Sequence, residues 1–146
     1  MSEQAEQAPC TARHLNHVCI AVSDIEDTLK FYHDLFGVGI AEIEDLPDQG
    51  VRAALVRIGG SQLEFIQPTD ADGGVARFIE RRGEGVHHIA FEVENLQAKL
   101  DDLASRGVEL IDKAPREGLS GDIAFLHPRA TRGVLIELVD QDTARR

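Results

Sequence analysis

The chain repeats itself at a spacing of roughly seventy residues, and a fold built from two copies of one unit is the first thing such a spacing demands. His17 and His88 stand 71 positions apart, as do the pairs Asp24-Ile25 and Asn95-Leu96. Glu64 and Glu137 stand 73 apart, a shift of two that one short loop difference produces. Each copy opens on an apolar, β-favouring run that carries histidine: Asn16-His17-Val18-Cys19-Ile20-Ala21-Val22 in the first, Gly83 to Val93 with its His87-His88 pair in the second.

The same element order can be read in both copies. In the first, His17 to Val22 is a strand whose alternation puts Val18, Ile20 and Val22 on one face and His17, Cys19 and Ala21 on the other. Ser23 and Glu26 have the spacing of a capping box, and Ile25, Leu29, Tyr32 and Phe36 follow at helical spacing until Gly37. Three strands are predicted next, over Val38 to Ile43, Val51 to Ile58 and Gln62 to Gln67, separated by Leu46 to Gly50 and by Gly59-Gly60. A short amphipathic helix around Val75, Phe78 and Ile79 joins the copies. In the second, His88 to Val93 is a strand, Asn95 caps a helix with Leu96, Leu100 and Leu103 on its buried face, and Gly107 ends it. Val108 to Asp112, Gly121 to Leu126 and Val134 to Val139 supply the last strands. The expected fold class is α+β, two tandem βαβββ modules (about 14–68 and 85–139) forming a cupped mixed sheet. One domain over 14–140 is expected, with a disordered tail over 1–13 and a polar tail over 141–146.

Composition narrows the partners. A net charge of -11 excludes a basic nucleic-acid surface. No apolar run approaches the roughly 20 residues that span a bilayer, and the N-terminal residues lack the apolar centre of a signal peptide. Cys10 and Cys19 make no disulfide framework, so a reducing cytoplasm is the expected location.

The chemistry lies in the repeated polar residues. Glu64 in Leu63-Glu64-Phe65-Ile66 and Glu137 in Val134 to Val139 are carboxylates inside apolar strands, where an unpaired charge is costly and normally pairs, binds metal or neutralises. Each could instead face water or pair with an arginine such as Arg57. Taken with His17 and His88 in equivalent places, they form a set of two imidazoles and two carboxylates that suits a divalent ion from Mn to Zn. Strand alternation lets only one of the second pair face the ion. Register with Asn16-His17 selects His88 and leaves His87 to the opposite face or a structural hydrogen bond. Glu92 is read as rim or solvent-facing, Cys19 as a small buried residue, His127 as turn-stabilising, and His14 and His33 as surface residues.

These stretches, with Pro47-Asp48-Gln49-Gly50-Val51, Gly83-Glu84-Gly85-Val86-His87-His88, Phe125-Leu126-His127-Pro128 and Gly133 to Leu138, resemble the vicinal oxygen chelate (glyoxalase/bleomycin resistance) superfamily, and within it the methylmalonyl-CoA epimerase family. The resemblance implies one divalent metal, Co2+ in preference to Mn2+, Ni2+, Zn2+ or Mg2+, held by His17, Glu64, His88 and Glu137. It also implies an acyl-CoA substrate, a homodimer, and epimerisation by α-proton abstraction with Glu137 as base. One position departs from the pattern. Many relatives carry a glutamate three residues after the glycine of Gln49-Gly50-Val51, where this chain has Ala53, so a symmetric two-base mechanism is in question. Arg116, Arg129 and Arg132 are candidate anchors for CoA. A lactoylglutathione lyase-like isomerase would use nearly the same ligands, and ring-cleaving dioxygenases would use iron with two histidines and one glutamate. A metal-free sequestering protein would need aromatic walls that a chain with no Trp and one Tyr can hardly build.

Overall fold

The computed structural model describes residues 11–145. They form β1 (His14–Ala21), α1 (Ile25–Phe36), β2 (Glu44–Leu46), β3 (Val51–Ile58), β4 (Ser61–Pro68), α2 (Gly74–Arg82), β5 (Gly85–Val93), α3 (Leu96–Ser105), β6 (Arg116–Gly118), β7 (Gly121–Leu126) and β8 (Ile136–Asp140). The chain divides into two compact units. One is His17–His88; the other combines the residues through Asn16 with those from Ile89 onward, so the boundary cuts β1 and β5. The expected α+β class with a doubled βαβββ order is what the elements show.

In the first unit the strands lie in the order β2-β3-β4-β1. β1 and β4 are parallel, with Cys19 level with Glu64, whereas β3 is antiparallel to both β2 and β4. Alternation then sorts the side chains onto two faces. Val22, Ala54, Val56 and Phe65 face α1, whose Ile25 and Leu29 complete a dry core. The opposite face carries His17, Cys19, Glu64 and Ala53. In the second unit the order is β5-β8-β7-β6, with β5 and β8 parallel and the other pairs antiparallel. Val93, Ala124, Leu126, Ile136 and Leu138 pack on Leu96 and Leu100 of α3. Glu137, level with Ala90, lies on the face away from that helix.

Several local expectations need correction. The cap of α1 is Asp24, whose carboxylate accepts from the Asp27 amide at 3.0 Å; the Ser23 amide instead donates to Glu84, at 2.8 Å. No strand forms over 38–43. Its Ile40 is 67% exposed, and pairing with β3 begins only at Glu44. The stretch 108–112 makes only an isolated bridge, Leu110 to Leu126. Phe36 is 66% exposed, resting on Tyr32 rather than on the sheet. Asn95 caps α3 as expected, accepting from the Ala98 amide at 3.1 Å. Residues 1–10, with Cys10, lie outside the described residues. From 141 to 145 the chain is tied back: the Gln141 amide donates to the Val93 carbonyl and that of Arg145 to the Ser120 carbonyl, each at 2.8 Å.

Candidate metal centre

The first unit brings three of the four expected ligands together. Parallel pairing puts Glu64 diagonal to His17 on one face, and β5 carries in His88. His17 is fully buried, His88 is 4% exposed and Glu64 is 7% exposed. The Nε2 atoms of the two histidines are 3.2 Å apart, and Glu64 Oε1 lies 3.4 Å from that of His17 and 3.7 Å from that of His88. The three atoms make a nearly equilateral triangle.

Those spacings fit a shared ion. Nitrogen and oxygen ligands at about 2.0–2.1 Å from one metal stand about 3.0 Å apart when at right angles and about 3.4 Å apart in a tetrahedron. Two neutral imidazoles and a carboxylate form a borderline-hard set suited to Mn, Fe, Co, Ni or Zn. A carboxylate buried this deeply also needs a positive neighbour, which the ion would supply. Cys19, His87 and His88 likewise offer donor atoms within 4.8 Å of one another. Cys19 is fully buried, as expected of a small core residue.

Glu137 belongs to the second unit, where it is 3% exposed and accepts from the Ser120 hydroxyl at 3.1 Å. Its burial answers the question left by the sequence: it does not face water. Neither does Glu92, which is 2% exposed and accepts from the Asn16 side-chain amide at 2.9 Å. The rim placement expected for Glu92 was therefore mistaken, because its partner is 76 residues away in sequence and invisible to any local pattern.

A further carboxylate escaped the sequence reading. Glu44 is half-buried and sits directly opposite Ala53 in the β2–β3 ladder, so both project from the face that carries Glu64. Ala53 is fully buried. The signal that could have found it was register, which a three-residue strand scarcely announces.

Among the remaining candidates, His127, Arg116 and Arg129 have local partners. His127 Nδ1 accepts from the Arg129 amide at 3.1 Å, the turn role expected of it. Arg116 pairs with Asp112 at 3.1 Å and lies over the Phe125 ring, while Arg129 pairs with Glu109 at 3.0 Å. The Arg129 guanidinium holds the Glu109 carboxyl below its ordinary value. Arg132 has a left-handed backbone, φ 61°, after the Pro128–Thr131 turn. A cavity of about 500 Å³ opens in the first unit beside α1, but Asp24, Asp27 and Glu84 line it. That acidic wall has the wrong sign for CoA phosphates.

Paired βαβββ modules with a buried imidazole–carboxylate triangle define a class of metal-chelating scaffold. The glyoxalase/bleomycin resistance protein/dioxygenase superfamily model matches residues 16–125, and the chain belongs to that superfamily. It is 42% identical to the uncharacterized protein YqjC of Bacillus subtilis, over 86% of this chain and 91% of that one. It is 36% identical to the mitochondrial methylmalonyl-CoA epimerase of Homo sapiens, over 85% of this chain and 72% of the relative. Among solved structures, a Streptomyces coelicolor methylmalonyl-CoA epimerase variant in complex with 2-nitronate-propionyl-CoA superposes with a TM-score of 0.85. That structure is 33% identical and the match covers 93% of this chain and all of the other. The fold and family expected from the sequence stand.

Proposed function

We propose that the chain is a metal-dependent epimerase that interconverts the 2R and 2S forms of methylmalonyl-CoA. The observation that carries the proposal is the buried triangle of His17, Glu64 and His88, in a chain 36% identical to a methylmalonyl-CoA epimerase. His17, Glu64, His88 and Glu137 would hold one divalent ion, Co2+ by preference. Support for Glu137 is its burial and its equivalence to Glu64 in the repeat. When bound, the ion supplies Lewis-acid polarisation of the thioester carbonyl, which acidifies the adjacent C–H.

The side chains do the rest. Glu137 takes the α-proton from one face of the carbon, and the Ser120 hydroxyl steadies the carboxylate for that task. A proton returned to the opposite face completes inversion. We assign that second role to Glu44, the carboxylate beside Ala53 on the ligand face. With strands about 4.8 Å apart and residues rising about 3.4 Å along them, the Cα atoms of Glu44 and Glu64 are about 12 Å apart, room for a small acyl group between their side chains. The CoA portion, a homodimer and a cytoplasmic location belong to the same reading. No helix among the described residues is long and apolar enough to cross a membrane.

The test is exchange of the α-proton of methylmalonyl-CoA in heavy water, followed by NMR with metal-loaded and metal-stripped protein. Metal-dependent exchange with loss of stereochemistry is expected. No exchange from folded, metal-loaded protein would sink the substrate assignment and turn attention to a glutathione adduct. A Glu44→Gln variant that still inverts the α-carbon at the full rate would overturn the second assignment, and an Ala53→Glu replacement that restores inversion to it would support it.

A further inference from the structure

His87 is the residue of the second histidine pair that the ligand set does not use. Adjacent side chains on a strand ordinarily point to opposite faces. Here the two rings nonetheless meet: His87 Nδ1 and His88 Nδ1 are 2.9 Å apart, with ring centroids 5.2 Å apart at 76°. The Phe78 ring of α2 meets His87 edge-on at 4.9 Å. His87 is thus held between an aromatic neighbour and the ring of a candidate ligand.

Counting protons fixes the roles in this contact. A close contact between two ring nitrogens is a hydrogen bond only when one carries a proton and the other a lone pair. For His88 to offer its Nε2 lone pair to an ion, its single proton must sit on Nδ1, so His88 donates and His87 accepts. His87 then carries its own proton on Nε2. A metal-binding histidine is commonly oriented by a partner at its other nitrogen, which fixes tautomer and ring direction.

We propose that His87 is a positioning residue: its Nδ1 accepts from His88 Nδ1–H and so holds His88 in the tautomer whose Nε2 faces His17 and Glu64. The duplication shows that the position is free to vary in chemistry, because its equivalent in the first copy is Asn16, which serves Glu92 instead. The inference rests on the metal-site reading, and its readout is ion binding rather than turnover.

The experiment is a chelator-competition titration of Zn2+ into the full chain and two variants, with urea unfolding as a control. His87→Phe keeps a ring against Phe78 but has no acceptor, and affinity is expected to fall about 10–100-fold. His87→Asn places a carbonyl oxygen where Nδ1 stood and is expected to keep affinity close to that of the original chain. Nitrogen NMR of the zinc-loaded original chain reads the tautomer directly and does not depend on either variant folding; a proton on His88 Nδ1 is expected. Unchanged affinity in His87→Phe, or a His88 that binds zinc through Nδ1, overturns the inference alone. Failure of the original chain to bind any ion overturns both it and the metal reading.

Discussion

The two modules share a topology and differ in what they do with a buried carboxylate. In the first, Glu64 looks at two imidazoles across 3.4 and 3.7 Å. In the second, Glu137 and Glu92 are met by a serine hydroxyl and an asparagine amide, at 3.1 and 2.9 Å. The two copies share the parallel pairing of first and last strands, while these partners of their buried carboxylates differ in kind. Backbone geometry is constrained by the ladder, whereas an inward-facing position accepts any side chain whose hydrogen bonds can be met.

The largest effect should come from treating the two glutamates alike. Glu64→Gln keeps an oxygen donor, and exchange activity is expected within about tenfold of the original. Glu137→Gln removes the proposed base, for a loss of about 10²–10⁴ in exchange rate. Equal losses in the two variants, read in the heavy-water assay, would break the division of labour. A smaller effect is expected in stability when the second module loses its amide: Asn16→Ala takes a partner from the buried Glu92 carboxylate and should cost about 1.5–3 kcal/mol, measured by urea denaturation.

The smallest effect is at the surface. Arg52 makes two bonds to Glu26, at 2.8 and 3.0 Å, and lowers that carboxyl from its usual 4.5. Because the folded value is the lower one, the contribution is present above pH about 4.5 and is lost as pH falls through the depressed value. A Glu26→Gln variant should therefore show a slightly lower Tm at neutral pH, with the gap closing in acid. The pair is exposed, so the gap should be slight at high salt.

Much of this was legible in the chain. The repeat, both helices that cover the modules and the placing of His17 and Glu64 on one sheet face follow from alternation and spacing, which are local properties. What was not legible depended on partners distant in sequence. Glu92 is buried because Asn16 reaches it. The stretch 38–43 has strand-like composition, but pairing with β3 begins only at Glu44. Ser23 fits a capping box, yet Asp24 lies one residue nearer the helix and its side chain bonds the Asp27 amide. Glu44 acquires its meaning only from register opposite Ala53.

The parallel seam between β1 and β4 also sets an order of events. β3 and β4 meet through the two-residue turn Gly59-Gly60, with Ile58 level with Ser61, so that hairpin closes a very short loop. β1 must instead pair with a strand some forty residues away, His17 level with Gln62, and long-range pairing of this kind carries a larger closure entropy and forms late. His17 is therefore expected to reach Glu64 only as the module completes its folding. An ion added to the unfolded chain would find no template there, and its arrival would mark the finished module rather than nucleate it.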